Sequence, residues 1–285
     1  MKSSLSHLPK TKQEQILKIA GIIKEVAAPE KIILFGSYAK GNYIEHRYTG
    51  KDGIIYEYIS DYDFLIVTQQ NKIKDYELED IILNKTQQFK VPINVQIHEI
   101  DYINKGLQFG QYFFTDIVKE GILLYDTNVL EFANLTELTK KQLQEISNSY
   151  FNIWYNRHKE FFIDADNAYN RKSFNKAAFE LHQATESLYY AVLLVFQGYK
   201  PKSHNLYKLR KYSKHLSQEL YLVFPIDNDK NEKKIFDLLK SGYIDARYKE
   251  DFVVTKEEIE KIMQRVTLMR NIVEKICNEK IDSYS

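Results

Sequence analysis

Ile16, Ile19, Ile22, Ile23 and Val26 recur at three- and four-residue intervals, which predicts an amphipathic helix over residues 10–27. Pro29 closes it, and the apolar run 31–35 reads as a short strand. Gly36 breaks that strand, and a brief helical turn is expected through Lys40. Residues 42–60 read as a β-hairpin, with tyrosines and isoleucines flanking a polar turn, Thr49-Gly50-Lys51-Asp52-Gly53. Over 61–67 the pattern alternates: Tyr62, Phe64 and Ile66 take one face, and Asp61, Asp63, Leu65 and Val67 the other. A helix over about 74–89, a strand over 91–98, a helix over about 99–119 and a last short strand at 122–125 complete this part.

Beyond Asp126 only the helical period remains. Long segments are expected at 136–169, 173–197, 205–220, 229–241 and 255–280, with Thr255 and Glu258 forming a capping box at the start of the last. The fold class is therefore α+β followed by all-α: a mixed α/β domain over 1–128, carrying the 42–60 hairpin as an insertion, then a helical bundle over 136–285. A length of 285 residues has room for both. The 10 glycines and 5 prolines are few, in keeping with long helices.

With 44% hydrophobic and 28% charged residues the composition is that of a folded chain. The net charge of +1 supplies no global attraction to nucleic acid or membrane, so any polyanion site has to be local. The single cysteine, Cys277, excludes an internal disulfide, and residues 1–12 lack the apolar centre of a secretory signal. The longest apolar run, 189–196, falls far short of the ~20 residues of a membrane span. A cytoplasmic protein with no membrane association is expected.

The sharpest chemical pattern is a strand, Gly36-Ser37, a short helix, and then a strand opening Asp61-Tyr62-Asp63. Glycine lets backbone approach a phosphate closely, and the N–H groups of the next turn and the Ser37 hydroxyl can donate to its oxygens. Aspartates two apart on a strand share a face and can hold one or two Mg²⁺ ions. The plainer alternative is that Asp61 opens a turn and Asp63 stands exposed on an edge strand.

The segments KIILFGSYAKG and SDYDFLIV resemble the nucleotidyltransferase superfamily related to polymerase beta, in its minimal and antibiotic-modifying branches. The likeness covers about residues 10–125. It implies transfer of a nucleoside monophosphate from an NTP, with Mg²⁺ (or Mn²⁺), to a hydroxyl on a protein, an RNA end or a small molecule. Gly36 and Ser37 would hold phosphates and Asp61 and Asp63 the metal. Lys40 would neutralise phosphate charge, or simply face solvent. Two departures matter. The spacer before Asp61 is long because of the hairpin, which could wall the nucleotide, touch an acceptor through His46, Arg47 or Lys51, or merely decorate the sheet edge. The family's third carboxylate is also missing: the strand at 91–98 offers Asn94, Gln96 and His98, with Asn94 at the expected aspartate. Glu57 and Glu99 are possible substitutes. Without one, the domain becomes a nucleotide-binding, antitoxin-like module with weakened or no turnover.

The helical half resembles HEPN domains, through the segments 173–186, Lys202-Ser203-His204-Asn205-Leu206 and Asp245-Ala246-Arg247-Tyr248. That resemblance implies a homodimer formed through the bundle. Many HEPN domains are metal-independent ribonucleases carrying Arg, four to six residues, then His or sometimes Tyr at the start of the final helix pair, with the active site formed across a dimer. Here Arg247 and Tyr248 are followed by no histidine, which disfavours cleavage and leaves the two residues as binders of nucleotide or phosphate. Arg210 and His215 have the spacing but lie about 140° apart on a helix. His182 and Glu186, at i and i+4, read as a metal pair, as a polar inner pair contacting the nucleotide domain, or as a solvated helix face. The aromatic run Phe151, Trp154, Tyr155, Phe161 and Phe162 reads as core or dimer interface rather than a base-stacking surface, and Lys208, Arg210, Lys211 and Lys214 as a solvated face.

Overall fold

A computed structural model describes residues 1–49, 55–69, 73–201, 203–227 and 229–285, with the side chains of 46–49 and 55–58 outside the description. The hairpin's predicted turn, and Lys51 with it, therefore falls largely outside the described residues. The chain divides into two compact units, Met1–Glu137 and Leu138–Ser285.

The first unit runs α1 (Lys10–Ala27), β1 (Lys31–Phe35), α2 (Gly36–Lys40), β2 (Glu45–Thr49), β3 (Ile55–Ile59), β4 (Tyr62–Thr68), α3 (Asp75–Lys85), β5 (Ile93–Glu99), α4 (Ile100–Gln108), α5 (Tyr112–Glu120) and β6 (Ile122–Asp126). Its main sheet has the order β5-β4-β1-β6, and β2 pairs with β3 in a separate two-stranded sheet. β1 is antiparallel to both neighbours, whereas β4 and β5 are parallel, so the sheet is mixed. Ile16, Ile19 and Ile23 of α1 and Leu78 and Ile82 of α3 bury one face together with Ile32, Leu34, Phe64 and Ile66. On the other face Ile33, Leu65 and Val67 are fully buried, and α4 and α5 pack there on β5 and β1. Burial on both faces explains the nearly unbroken apolar runs of β1 and β4.

The helix predicted over about 99–119 is two helices. Gly110 takes φ +68°, a left-handed conformation that ends a helix readily only at glycine, and α5 starts afresh after Gln111.

The second unit is all helical: α6 (Lys140–Asn170), α7 (Phe174–Gln197), α8 (Leu206–Ser213), α9 (Gln218–Tyr221), α10 (Lys230–Ser241), α11 (Asp245–Tyr248) and α12 (Lys256–Asp282). α7 is the central element, in contact with α6, α8, α10, α11 and α12. Capping boxes start α6 at Thr139 and α12 at Thr255. Phe151 and Tyr155 are core, and Trp154, Phe161 and Phe162 pack against it, as the aromatic spacing suggested. The helix expected over 205–220 is divided, because the Ser217 hydroxyl accepts from the Leu220 amide and begins α9 anew. Arg210 is not on a solvated face. It lies buried beside Leu206 and Leu209, donates to Asp227 at 2.8 Å and sits over the Tyr221 ring.

His158 of α6 is fully buried, and its Nδ1–H donates to the Ala184 carbonyl at 3.1 Å. Burial pushes its pKa down to about 4. An unfolded chain would bind that proton near pH 6.5, so stability is complete above pH 6.5 and falls as the pH drops toward 4. Urea unfolding should lose about 2 kcal/mol more between pH 7 and pH 5 in wild type than in His158→Phe. Identical pH slopes in the two proteins would contradict this.

Candidate functional sites

β1 brings extended backbone to Phe35, and Gly36 then turns it at φ +72° into the single turn of α2. Tyr38 anchors this turn. It is fully buried, stacks on Tyr43 at 4.2 Å, meets the Tyr62 ring at a tilt with centroids 4.4 Å apart, and its carbonyl meets His7 Nε2 at 2.8 Å. Across the sheet, Phe35 pairs in register with Asp63, and Asp63 with Asn94. The ends of three consecutive sheet positions therefore bear on one carboxylate. A Cβ on residue 36 would lie 2.4 Å from Asp63 Oδ2, so the carboxylate fills the space that only glycine leaves. Asp61 is half-buried and stands two residues before Asp63, on the same side of the strand. Gly36, Ser37, Asp61 and Asp63 thus come together at one corner of the sheet. Lys40 is half-exposed and its ammonium is paired with Glu120 of α5.

Asn94 stands directly beside Asp63 and donates from Nδ2 to Oδ1 at 2.8 Å. The position of a third acid is thus filled by an amide that engages one carboxylate oxygen. Glu99 does not replace it. It pairs with Thr68 at the far end of the β4–β5 ladder, five residues from Asn94, or about 16 Å along the strand. The side chains of His46, Arg47 and Glu57 lie outside the description. Among the described residues no group of three or more His, Cys, Asp or Glu side chains is placed to hold a metal. Two carboxylates do suit a single Mg²⁺, which commonly takes one or two protein carboxylates and completes its shell with water and phosphate oxygens. A second ion would lack its donor.

The helical unit assembles into one polar cluster residues that the sequence names only separately. His204, between α7 and α8, meets Glu186 Oε1 through Nδ1 at 2.8 Å. Glu186 is 5% exposed; burial holds its carboxyl above the usual range, and the hydrogen bond with His204 draws it back. His182, fully buried, donates from Nδ1 to the Leu239 carbonyl at 3.1 Å, so its unprotonated Nε2 lies 4.0 Å from Glu186. The Tyr243 ring stacks on both imidazoles, at 5.1 Å from His182 and 4.8 Å from His204. Arg247 donates from Nε to the Tyr243 carbonyl at 2.7 Å and holds its guanidinium 4.8 Å from the same ring. Tyr248 is exposed. His182 and Glu186 are accordingly an inner polar pair. Arg210 and His215 are not a pair at all, since Arg210 is turned to Asp227 and His215 meets Gln197. His204 stands in a segment that carries the HEPN resemblance, but its contact with Glu186 has no sequence signal.

Residues 151–276 match the family model of the HEPN domain, a span that contains His182, Glu186, His204, Tyr243, Arg247 and Tyr248. No curated protein matches the sequence. The chain contains a HEPN domain behind a mixed α/β unit. Among the described residues no helix is long and apolar enough to cross a membrane.

Gly36→Ala should dislodge Asp63 and force a β-carbon onto positive φ, destabilising the first unit by about 1–3 kcal/mol. Thermal melting checks this, and an unchanged melting temperature would refute the close approach.

Proposed function

We propose that the α/β unit is a metal-dependent nucleotidyltransferase whose site is the corner formed by Gly36, Ser37, Asp61 and Asp63. The observation that carries this reading is the Asp63 carboxylate seated against Gly36 at the start of α2. Gly36 and Ser37 admit the β- and γ-phosphates of an NTP, with the Ser37 hydroxyl donating to them. Asp61 and Asp63 would hold Mg²⁺, which when bound offsets the charge of the triphosphate. An acceptor hydroxyl then attacks the α-phosphorus; the new O–P bond forms as the bond to pyrophosphate breaks. Asn94 cannot take the hydroxyl's proton, which leaves the Asp61 carboxylate as the proton acceptor in the corner and makes the transfer slow.

Pyrophosphate release from the four NTPs, in wild type and in the Asp61→Ala, Asp63→Ala double variant, tests the reading. Release by wild type alone is expected, and Asn94→Asp should raise it at least tenfold by supplying the missing acid. Mg²⁺-dependent NTP binding without release, with candidate acceptors present, would replace transfer by the nucleotide-binding, antitoxin-like reading. No binding would contradict both.

A second reading rests on the geometry of His204. With Nδ1 held by Glu186, Nε2 is left toward solvent on a half-exposed ring, and Arg247 touches the same tyrosine. Such an imidazole can take the proton of an RNA 2′-hydroxyl while its oxygen attacks the adjacent phosphorus and the P–O5′ bond breaks, the leaving oxygen being protonated by water. Arg247 would stabilise the phosphorane charge. This restores, from another part of the chain, the histidine absent after Arg247. RNA cleavage in EDTA should occur and fall at least 100-fold in both His204→Ala and Arg247→Ala. Intact RNA in EDTA would dispose of this reading.

A further inference from the structure

A cleft of about 680 Å³ opens in the first unit on the face of the sheet opposite Asp61 and Asp63. One wall is the outer side of α1, a second is the segment 88–91 that leads into β5, and Glu45 and Ile59 at the base of the hairpin close it. Two of its lining side chains, Gln15 and Glu45, are held from beneath by buried tyrosines. The fully buried Tyr62 donates its hydroxyl to Gln15 at 2.9 Å, and the fully buried Tyr38 donates to Glu45 at 3.0 Å. Lys12 is paired with Glu45 and, chiefly through that hydrogen bond, holds its carboxyl below the usual range.

Lys12 and Glu45 therefore cancel. Lys18 on α1 and Lys90 on the opposite wall have no carboxylate partner among the described residues, and Glu14 is the one further acid lining the cleft. Phe89 offers a half-buried ring, and Gln15 an amide whose Oε1 accepts from Tyr62 and whose Nε2 can donate. With Glu14 counted the lining carries a net charge of +1, and two lysines outside any ion pair among the described residues, beside an aromatic ring and amide groups, suit a planar base with attached phosphates. The volume is in the range of ligand pockets.

Position adds the role. The cleft is bounded by the residues that precede β4 and β5, the same end of the sheet at which β1 finishes and Asp61 and Asn94 stand. We propose that this cleft binds the end of a single-stranded RNA, the acceptor strand, with a base on Phe89 and phosphates at Lys18 and Lys90. Its acceptor role rests on the nucleotidyltransferase reading; its binding does not.

The test is fluorescence anisotropy of a labelled 2′-O-methyl hexaribonucleotide, which has no free internal 2′-hydroxyl to attack its own backbone, with the full chain in EDTA. Three proteins are compared: wild type, Lys18→Glu with Lys90→Glu, and Asp61→Ala with Asp63→Ala. The lysine variant should weaken binding at least tenfold with an unchanged melting temperature. The slope of log K against log salt should fall in magnitude by about 1.4, as expected for two phosphate contacts on a single strand. The aspartate variant should bind as wild type does. Absence of oligomer binding, equal binding by the lysine variant, or loss of binding in the aspartate variant would overturn the proposal. So would lysine-dependent binding of a labelled mononucleotide alone. Lysine-dependent oligomer binding with no pyrophosphate release would instead sink the transfer reading and leave the cleft standing.

Discussion

The volume that a side chain at residue 36 would need is taken by the carboxylate of Asp63, and the rest of the α/β unit is arranged around that exclusion. For the two to meet, β1 and β4 must pair with Phe35 opposite Asp63, which fixes the register of the whole ladder. Because side chains alternate along a strand, the same register sends Tyr62 and Phe64 into the core under α1 and α3. Slipping one residue would turn the aspartates toward α1 and α3 and carry those rings to the opposite face of the sheet. Hydrophobic burial and the placement of the acids are thus one constraint, and α2, pinned through Tyr38, is held where Gly36 can face the carboxylate.

The helical unit shows a related economy. α7 is buried along nearly its whole length, yet carries His182 and Glu186. A buried carboxylate without a partner would be heavily penalised, and the stacked array of His182, Tyr243 and His204 is what Glu186 obtains instead. The array also orients His204, so the contact that supplies a partner to the buried carboxylate fixes the ring of a surface histidine. Asn94 acts similarly on the α/β unit: its amide donates to Asp63 from the position where a third acid was expected.

Much of this was legible in sequence because it depends on local signals. The Ile16–Ile23 spacing, the apolar runs of β1 and β4, and the Thr255 and Glu258 cap are short-range patterns, and the structure has them where the patterns put them. Gly36 with Asp61 and Asp63 was legible as a composite, since strand, glycine and paired acids support one another. What escaped depends on distant partners. Arg210 looked solvated until Asp227 and Tyr221 enclosed it. Glu99 looked available until the parallel ladder put it at the wrong end of β5. His204 lies 18 positions from Glu186, with no period linking them, and only the fold brings the two into contact. The break at Gly110 was a local signal that the surrounding helical pattern masked.

The central claim, that the Gly36–Asp63 corner is a nucleotide and metal site, is tested most directly by crystallising the full chain with Mn²⁺ and a non-hydrolysable NTP analogue. The account predicts one strong anomalous peak coordinated by Asp61 and Asp63, with the β- and γ-phosphates against Gly36 and Ser37. An analogue bound elsewhere on the α/β unit, or Mn²⁺ and nucleotide absent from this corner at saturating concentration, would contradict it.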